Sequence, residues 1–373
     1  MKIFDTTLRD GEGGANVSFS LEDKIYLAQC LEKLGVDVIE AGFPIASKRD
    51  FKSVQEIGHF TQDVKLAVFA RDIKVDIDQA REALEDHIHR SRLSTFTNAH
   101  ELFVDLTDRA KARQLVLQRA REAIDYGRGL FPEVQFYLTY AGNRDPMFLV
   151  ELAVLAANSG ATQISIADTQ STLEPVRITE LVRIIRSELP FEAELSIHCH
   201  NQIGLGLANT IAALDAGANQ AEVTVGNLGD GGGNTAIEQV VAFANFIRKN
   251  KAPFDNKIAF ENIYCLAQAV QKASGFKYGT NQPLVGDTCF HMETGIHHEL
   301  LRKIPESTFN PELCGRRLEV SISRLSGIVG LQEKLKELGC DKNVNIAKLH
   351  RIIKEKGVDT LSSDELLNLV NNL

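Results

Sequence analysis

His198-Cys199-His200 and, far upstream, Asp10 are the donors in this chain whose types and spacing suit a divalent cation. On a strand, residues i and i+2 face the same way, so both imidazoles share one side while Cys199 turns into the core. Two nitrogens and a carboxylate oxygen leave coordination positions open for substrate or water. Asn234, closing the glycine-rich run 226–234, offers an amide oxygen as a further donor. Such a set suits zinc or manganese somewhat better than magnesium, though an open, oxygen-rich site admits all three. Asp10 itself stands in Phe4-Asp5-Thr6-Thr7-Leu8-Arg9-Asp10-Gly11-Glu12-Gly13-Gly14, an apolar start running into a cation and carboxylates with glycines beyond. A barrel strand ends in this way when its C-terminal edge is a reaction site. The glycine-rich run can expose backbone N–H groups to an anion or let a ligand come close, which makes Gly229 a candidate contact.

For these residues to meet, the chain must fold them onto one rim. Short β-branched runs at 2–4, 36–40, 64–69, 92–96, 134–138, 162–166, 193–198 and 220–225 alternate with helical patterns. The helices are expected at 21–34, 50–58, 75–86, 104–127, 147–159, 176–188, 204–216 and 234–248, the first opened by a Ser20–Asp23 capping box. An eightfold βα alternation predicts an α/β fold, a TIM (β/α)8 barrel. The rival, a doubly wound open sheet, lacks a GxGxxG after its first strand. Polar groups recur at the same end of the strands: Arg9 and Asp10, Glu40, Arg71, Thr95, Tyr140 with Arg144, Asp168 with Thr169, His198 and His200, and Glu222 with Thr224. A barrel collects its chemistry on that face.

The 373 residues are 44% hydrophobic and 24% charged, as in an ordinary globular protein, and the net charge of -9 argues against a nucleic-acid or anionic-membrane surface. No apolar run approaches the roughly 20 residues of a membrane span, and no signal peptide precedes the first strand. Six cysteines without CxxC spacing suggest neither a disulfide scaffold nor a thiolate metal site, so a cytoplasmic location is expected. The barrel is assigned to 1–250. Residues 251–373 read as a small C-terminal helical appendage, with helices near 258–273, 326–338, 343–355 and 361–371, too thin for a strong core alone. His87 and His89 read as surface residues, and His59 has no partner pattern.

The motifs Thr7-Leu-Arg-Asp-Gly-Glu12, Glu40-Ala-Gly-Phe-Pro-Ile-Ala-Ser47, Asp168-Thr169, His198-Cys-His-Asn201 and Glu222 through Asn234 resemble those of a metal-dependent TIM-barrel family. It comprises 2-isopropylmalate, homocitrate and citramalate synthases and hydroxymethylglutaryl-CoA lyase. Asn281-Gln-Pro-Leu-Val-Gly286 and Glu293-Thr-Gly-Ile-His297 extend the likeness into the appendage. The resemblance implies Asp10, His198 and His200 as metal ligands, with Asn234 bound more loosely. It implies Arg9 beside the carbonyl or enolate oxygen, Glu222 as an acidic group near the mouth, and Arg71 and Thr169 near a 2-oxo acid. With Thr95, Arg144 and Gly229 these last two make up the expected substrate contacts. His297 matches a histidine supplied to the partner subunit's mouth, so the resemblance implies a homodimer with a swapped C-terminal region. The implied reaction is a Claisen-type condensation of a 2-oxo acid with acetyl-CoA or another acyl-CoA.

The chain departs from the synthase pattern inside the site. Gly13 replaces a glutamine, Ser94 a histidine, Tyr140-Ala141 a Glu-Asp pair, Gln202 an aspartate and Asp230-Gly231 a Glu-Arg pair. In the appendage Met292 replaces a histidine, and a synthase tyrosine is missing near Thr308. Tyr140 offers a phenol where the glutamate was, so it is a candidate catalytic group with Arg9, Glu222 and His297. Two alternatives follow: a metal-dependent aldolase or lyase on a related hydroxy acid, and a catalytically silent or regulatory barrel. Against the first, the lyases' catalytic cysteine has no counterpart in 226–233.

Overall fold

The computed structural model describes residues 1–292, 309–342, 344–357 and 359–373. They form two compact units, Met1–Lys277 and Tyr278–Leu373. In the first, eight parallel strands close into a barrel in sequence order: β1 Lys2–Asp5, β2 Val38–Gly42, β3 Lys65–Arg71, β4 Ser91–Phe96, β5 Glu133–Leu138, β6 Gln163–Asp168, β7 Glu194–Cys199 and β8 Gln220–Val223. Each is followed by a helix: α1 Leu21–Leu34, α2 Lys48–Phe60, α3 Lys74–Ala83, α4 Leu106–Arg128, α5 Pro146–Asn158, α6 Pro175–Glu188, α7 Gly206–Ala216 and α8 Ile237–Ala242. The TIM barrel read from the alternation is the architecture found.

Local chemistry explains the boundaries. Ser20 and Asp23 form the expected reciprocal capping box on α1, and Gly35 ends that helix in the left-handed region. The pattern that suggested a helix from 234 instead begins extended. Asn234 bridges His200 and Ala236 bridges Thr224, so α8 starts only at Ile237. The residues that would have made its first turn are held by the ends of β7 and β8. A further helix, α9 Ile263–Ser274, buries Ile263, Leu266, Ala267 and Val270 and belongs to the barrel unit.

The two strand faces are sorted sharply. Ile39, Leu66, Leu93, Phe136, Ile164, Ile166, Leu195 and Ile197 are fully buried beneath the helices, as strands covered by crossover helices require. The opposite face fills the barrel with paired polar groups. Near the N-terminal ends, Lys2 pairs with Glu194 and Lys65 with Glu133. Arg92, fully buried, reaches Glu133, Gln135 and Gln220 at 2.9, 3.1 and 2.9 Å. Charges out of water persist only when so matched. Phe4, Val38 and Ala67 pack together inside as an apolar wall.

In the second unit, helices Ile328–Glu337, Ile346–Lys356 and Ser363–Asn371 surround a small core of their own: Ile322, Leu331, Leu335, Leu349, Ile353 and Leu366. Six buried residues are a small core, in keeping with a segment expected to be too thin for a strong one. Amphipathic spacing brings one buried face of each helix together. No helix among the described residues is long and apolar enough to cross a membrane.

Candidate active site

Asp10, His198 and His200 converge at the C-terminal mouth. One donor atom from each lies within 4.8 Å of the others. Asp10 Oδ2 is 3.5 Å from His198 Nε2 and 4.0 Å from His200 Nε2. The loop after β1 carries Asp10 there by folding back on itself, with the N–H groups of Arg9 and Gly11 both donating to the Thr6 carbonyl. The i, i+2 relation of the histidines on β7 does the rest. Burial pushes the Asp10 carboxyl up, but Arg9, His198, His200 and the Asn234 amide outweigh it and hold the group well below the usual carboxylate range. His200, buried and beside His198, is pushed down to about 4, so its imidazole is neutral and free to donate a lone pair at physiological pH.

Asn234 completes the set. Its amide N–H2 donates to Asp10 Oδ2, while its Oδ1 is buried without a hydrogen-bond partner. Amide oxygen and nitrogen exchange places by a simple flip, which aims the orphaned oxygen at the cluster. Two imidazoles, a carboxylate and an unsatisfied amide oxygen fit a divalent cation. Gly229 stands beside this amide with φ +141, where an added Cβ would lie 2.9 Å from Asn234 Oδ1. The glycine makes room for the ligand side chain; the glycine-rich loop is built inward, onto the site's own residues. At Gly233 a Cβ would overlap the Asn227 carbonyl.

Arg9 bridges the cluster to β2. Its guanidinium donates to Asp10 Oδ1 at 2.6 Å and Glu40 Oε2 at 2.7 Å and lies 4.2 Å from the Phe69 ring centroid. Burial disfavours its charge, yet Asp10 and Glu40 raise its pKa, so it stays a fixed cation. Glu40 is wholly buried. Burial lifts its pKa to about 7 despite Arg9, and its Oε1 has no hydrogen-bond partner.

Glu222 lies in the barrel beneath His198 rather than in the open mouth. Its Oε1 accepts from Gln135, Ser165 and Ser196 at 2.8, 2.5 and 2.7 Å, and its Oε2 from the Tyr137 hydroxyl at 2.9 Å. Oε2 is also 3.3 Å from His198 Nδ1, an ion-pair distance although off the axis of a hydrogen bond. Burial works against the Glu222 charge, but His198 and the two serines keep its pKa low, and Glu222 and Asp10 in turn raise that of His198 despite its burial. Expected as a catalytic carboxylate, Glu222 stands where it can orient the His198 ring through the nitrogen facing away from Asp10.

Several expected contacts are placed elsewhere. Thr95 is paired in register with Ala70 and Phe136, on the strand face that packs under the helices. Strand alternation therefore gives the inward place to Ser94, whose hydroxyl is fully buried without a partner. Arg71 grips Asp76 with two hydrogen bonds, at 2.6 and 3.1 Å, and its side chain is 49% exposed. Arg144 is buried against Glu101 at 2.6 Å, a pair that closes two loops. The Thr169 hydroxyl accepts from the Tyr140 N–H at 3.0 Å and contacts the Ala167 carbonyl, so it braces a backbone. Tyr140 itself adopts φ +58, and its phenol lies in the field of Arg144. His297 lies outside the described residues.

The sequence reading missed Tyr137, Gln135, Ser165, Ser196 and Phe69. For the first four the signal was present as polar residues at alternating positions in otherwise apolar strands, on the same inward face as His198. Glu40 was noted at a strand end without a role.

The chain is therefore a closed (β/α)8 barrel with an Asp–His–His cluster at its C-terminal mouth that could hold a metal ion. The HMGL-like family model matches residues 1–270, and the chain belongs to that family. It is 36% identical to 2-isopropylmalate synthase 1 of Caldanaerobacter subterraneus subsp. tengcongensis over 90% of this chain and 85% of that one. Against the 2-isopropylmalate synthase of Sediminispirochaeta smaragdinae it is 36% identical over 90% of its length and 68% of the relative's. Hydroxymethylglutaryl-CoA lyase from Pseudomonas aeruginosa shares the fold, with a TM-score of 0.61 and 22% identity over 74% of this chain and 94% of the lyase.

If Glu222 acts by holding His198, Glu222→Gln will weaken divalent-cation binding at the mouth about 10- to 100-fold while the protein stays folded. Equilibrium dialysis with metal analysis measures this, and an affinity equal to wild type would refute the positioning role.

Proposed function

We propose that the protein joins a 2-oxo acid to an acyl-CoA in a divalent-cation-dependent Claisen-type condensation, releasing free CoA. The observation that carries this reading is the 36% identity to 2-isopropylmalate synthase 1 along 90% of the chain. The relation to the lyase structure is one of fold, and no cysteine occurs in the glycine-rich loop 226–234. Asp10, His198, His200 and Asn234 would hold the cation. When bound, it supplies Lewis-acid polarisation of a carbonyl oxygen.

The chain's own groups would divide the remaining work. Arg9, fixed by Asp10 and Glu40, keeps a positive charge at the mouth, where negative charge on the former keto oxygen is stabilised. Glu40 Oε1, buried and unpartnered with a pKa raised to about 7, can take up the α-proton of the acyl group. Phe69, stacked on Phe96 with centroids 5.2 Å apart, lies against the guanidinium and shields it in part from water. A new carbon–carbon bond joins the acyl α-carbon to the keto carbon, and water cleaves the thioester to a carboxylate and the free thiol. A cytoplasmic location accords with six unpaired cysteines.

We further read the part of residues 251–373 that lies beyond the barrel unit, from Tyr278 on, as covering the mouth of a second copy in a homodimer. Exposed apolar side chains support this, because they stand at successive loops around the mouth: Phe103 and Leu106 before and at the start of α4, Met147 on α5, Val176 on α6 and Ile203 before α7.

With acetyl-CoA and a panel of 2-oxo acids, the cation-loaded protein is expected to release thiol only when an oxo acid is present, and Arg9→Ala to slow this at least 100-fold. Oxo-acid release from a hydroxy diacid without CoA would instead establish the lyase reading. Glu40 must be deprotonated to accept a proton, so kcat/KM should rise with pH to a plateau above about 7, and Glu40→Gln should abolish that limb. An unchanged profile in the variant removes Glu40 from the role. Light scattering is expected to give twice the 41.2 kDa chain mass, and a monomer would contradict the covering arrangement.

A further inference from the structure

At the face of the barrel opposite the mouth, two histidines that sequence spacing leaves without partners meet. His59 lies in the last turn of α2, and His87 lies in the 3-10 segment Glu85–Arg90 that leads into β4. His87 Nε2 is 3.1 Å from His59 Nδ1, with the rings edge-to-face and their centroids 5.0 Å apart. We propose that this pair is a second divalent transition-metal site, binding zinc-class ions through two imidazole nitrogens and water.

Two zinc–nitrogen bonds of about 2.0–2.1 Å at a tetrahedral angle span about 3.3 Å between the nitrogens, a few tenths of an ångström more than observed. Shifting the bridging proton to the far nitrogen of its ring, with small rotations of each ring, aims both lone pairs at a common point. The surroundings hold the pair in place. Gly58 stands in the last turns of α2, where glycine weakens a helix, and a Cβ there would lie 2.5 Å from the His87 ring. Only glycine lets that ring lie against the helix. Arg90 then locks the helix end, donating to the carbonyls of Gly58, Thr61 and Val64 at 2.7, 2.9 and 2.7 Å and to the Thr61 hydroxyl. Both imidazoles therefore project from clamped backbone and retain access to solvent.

The charges facing the pair are mixed. Arg90 and His89 act against a cation near His87, while Asp86 favours one, and Glu56 lies near His59 although paired to Lys52. Burial and Arg90 push the His87 pKa down, which keeps its ring neutral and available as a ligand at neutral pH. Imidazole-rich, carboxylate-poor donors favour zinc, copper or nickel over magnesium or calcium. The site is separate from the mouth cluster and does not depend on the proposed reaction.

The test is zinc stoichiometry of the untagged protein, its mouth already loaded with manganese, by equilibrium dialysis at micromolar free Zn2+ and about pH 7.5. Wild type is expected to hold one equivalent more than His59→Asn or His87→Asn, and the same difference should persist in a His198→Ala background. Gly58→Ala, which keeps both imidazoles but displaces the His87 ring, should lower affinity at least tenfold, and His89→Asn should not lower it. Zinc should also raise the melting temperature of wild type and of His89→Asn but not of the His59 and His87 variants, whose own melts report whether they fold. Equal zinc content in folded wild type and His87→Asn, or full affinity in folded Gly58→Ala, overturns the proposal and leaves only an imidazole–imidazole hydrogen bond.

Discussion

The carboxylate of Asp10 is the charge on which the mouth of this barrel depends. It is largely buried, and its ionised state survives because Arg9 faces one oxygen and two imidazoles and an amide face the other. Each partner is in turn held by something deeper. Arg9 is shared with Glu40, and His198 rests above Glu222, which four side chains from β5, β6 and β7 saturate with hydrogen bonds. Removing one member leaves another charge buried without compensation, a far larger loss than the net worth of any single pair. The site is rigid for that reason.

The same logic runs down the whole inside of the barrel. Inward positions alternate with outward ones, and the inward set is rich in charge: Lys2, Lys65, Arg92, Glu133, Glu194 and Glu222. Each finds a counter-charge or an amide on another strand. A barrel filled in this way specifies its register, because a one-residue slip would turn every one of these groups into the apolar helical layer. The polar interior that makes the catalytic end possible thereby also fixes the fold.

Much of this was legible in the sequence. The eightfold alternation revealed the barrel, and the His198/His200 spacing and Asp10 revealed the cluster, because strand periodicity and strand ends are local properties. What could not be read was where long side chains end. Arg71 and Arg144 stand at strand ends as a substrate-binding residue would, yet each is claimed by a carboxylate from a neighbouring helix or loop, Asp76 and Glu101. Thr95 and Ser94 are adjacent, and only the register of β4 with its neighbours decides which one looks inward. Nor could sequence show that Glu222 meets partners from three other strands. His59 and His87 met across two separate helical segments that no spacing rule connects.

The proposed reaction requires one divalent cation held by Asp10, His198 and His200 beside the Arg9 guanidinium. Crystals grown with manganese and measured at its absorption edge test this most directly. An anomalous peak is expected at the mouth within about 2.0–2.3 Å of one oxygen of Asp10 and one nitrogen of each histidine. A fully occupied manganese ion elsewhere in the barrel, with these three side chains still paired only to one another, would contradict it.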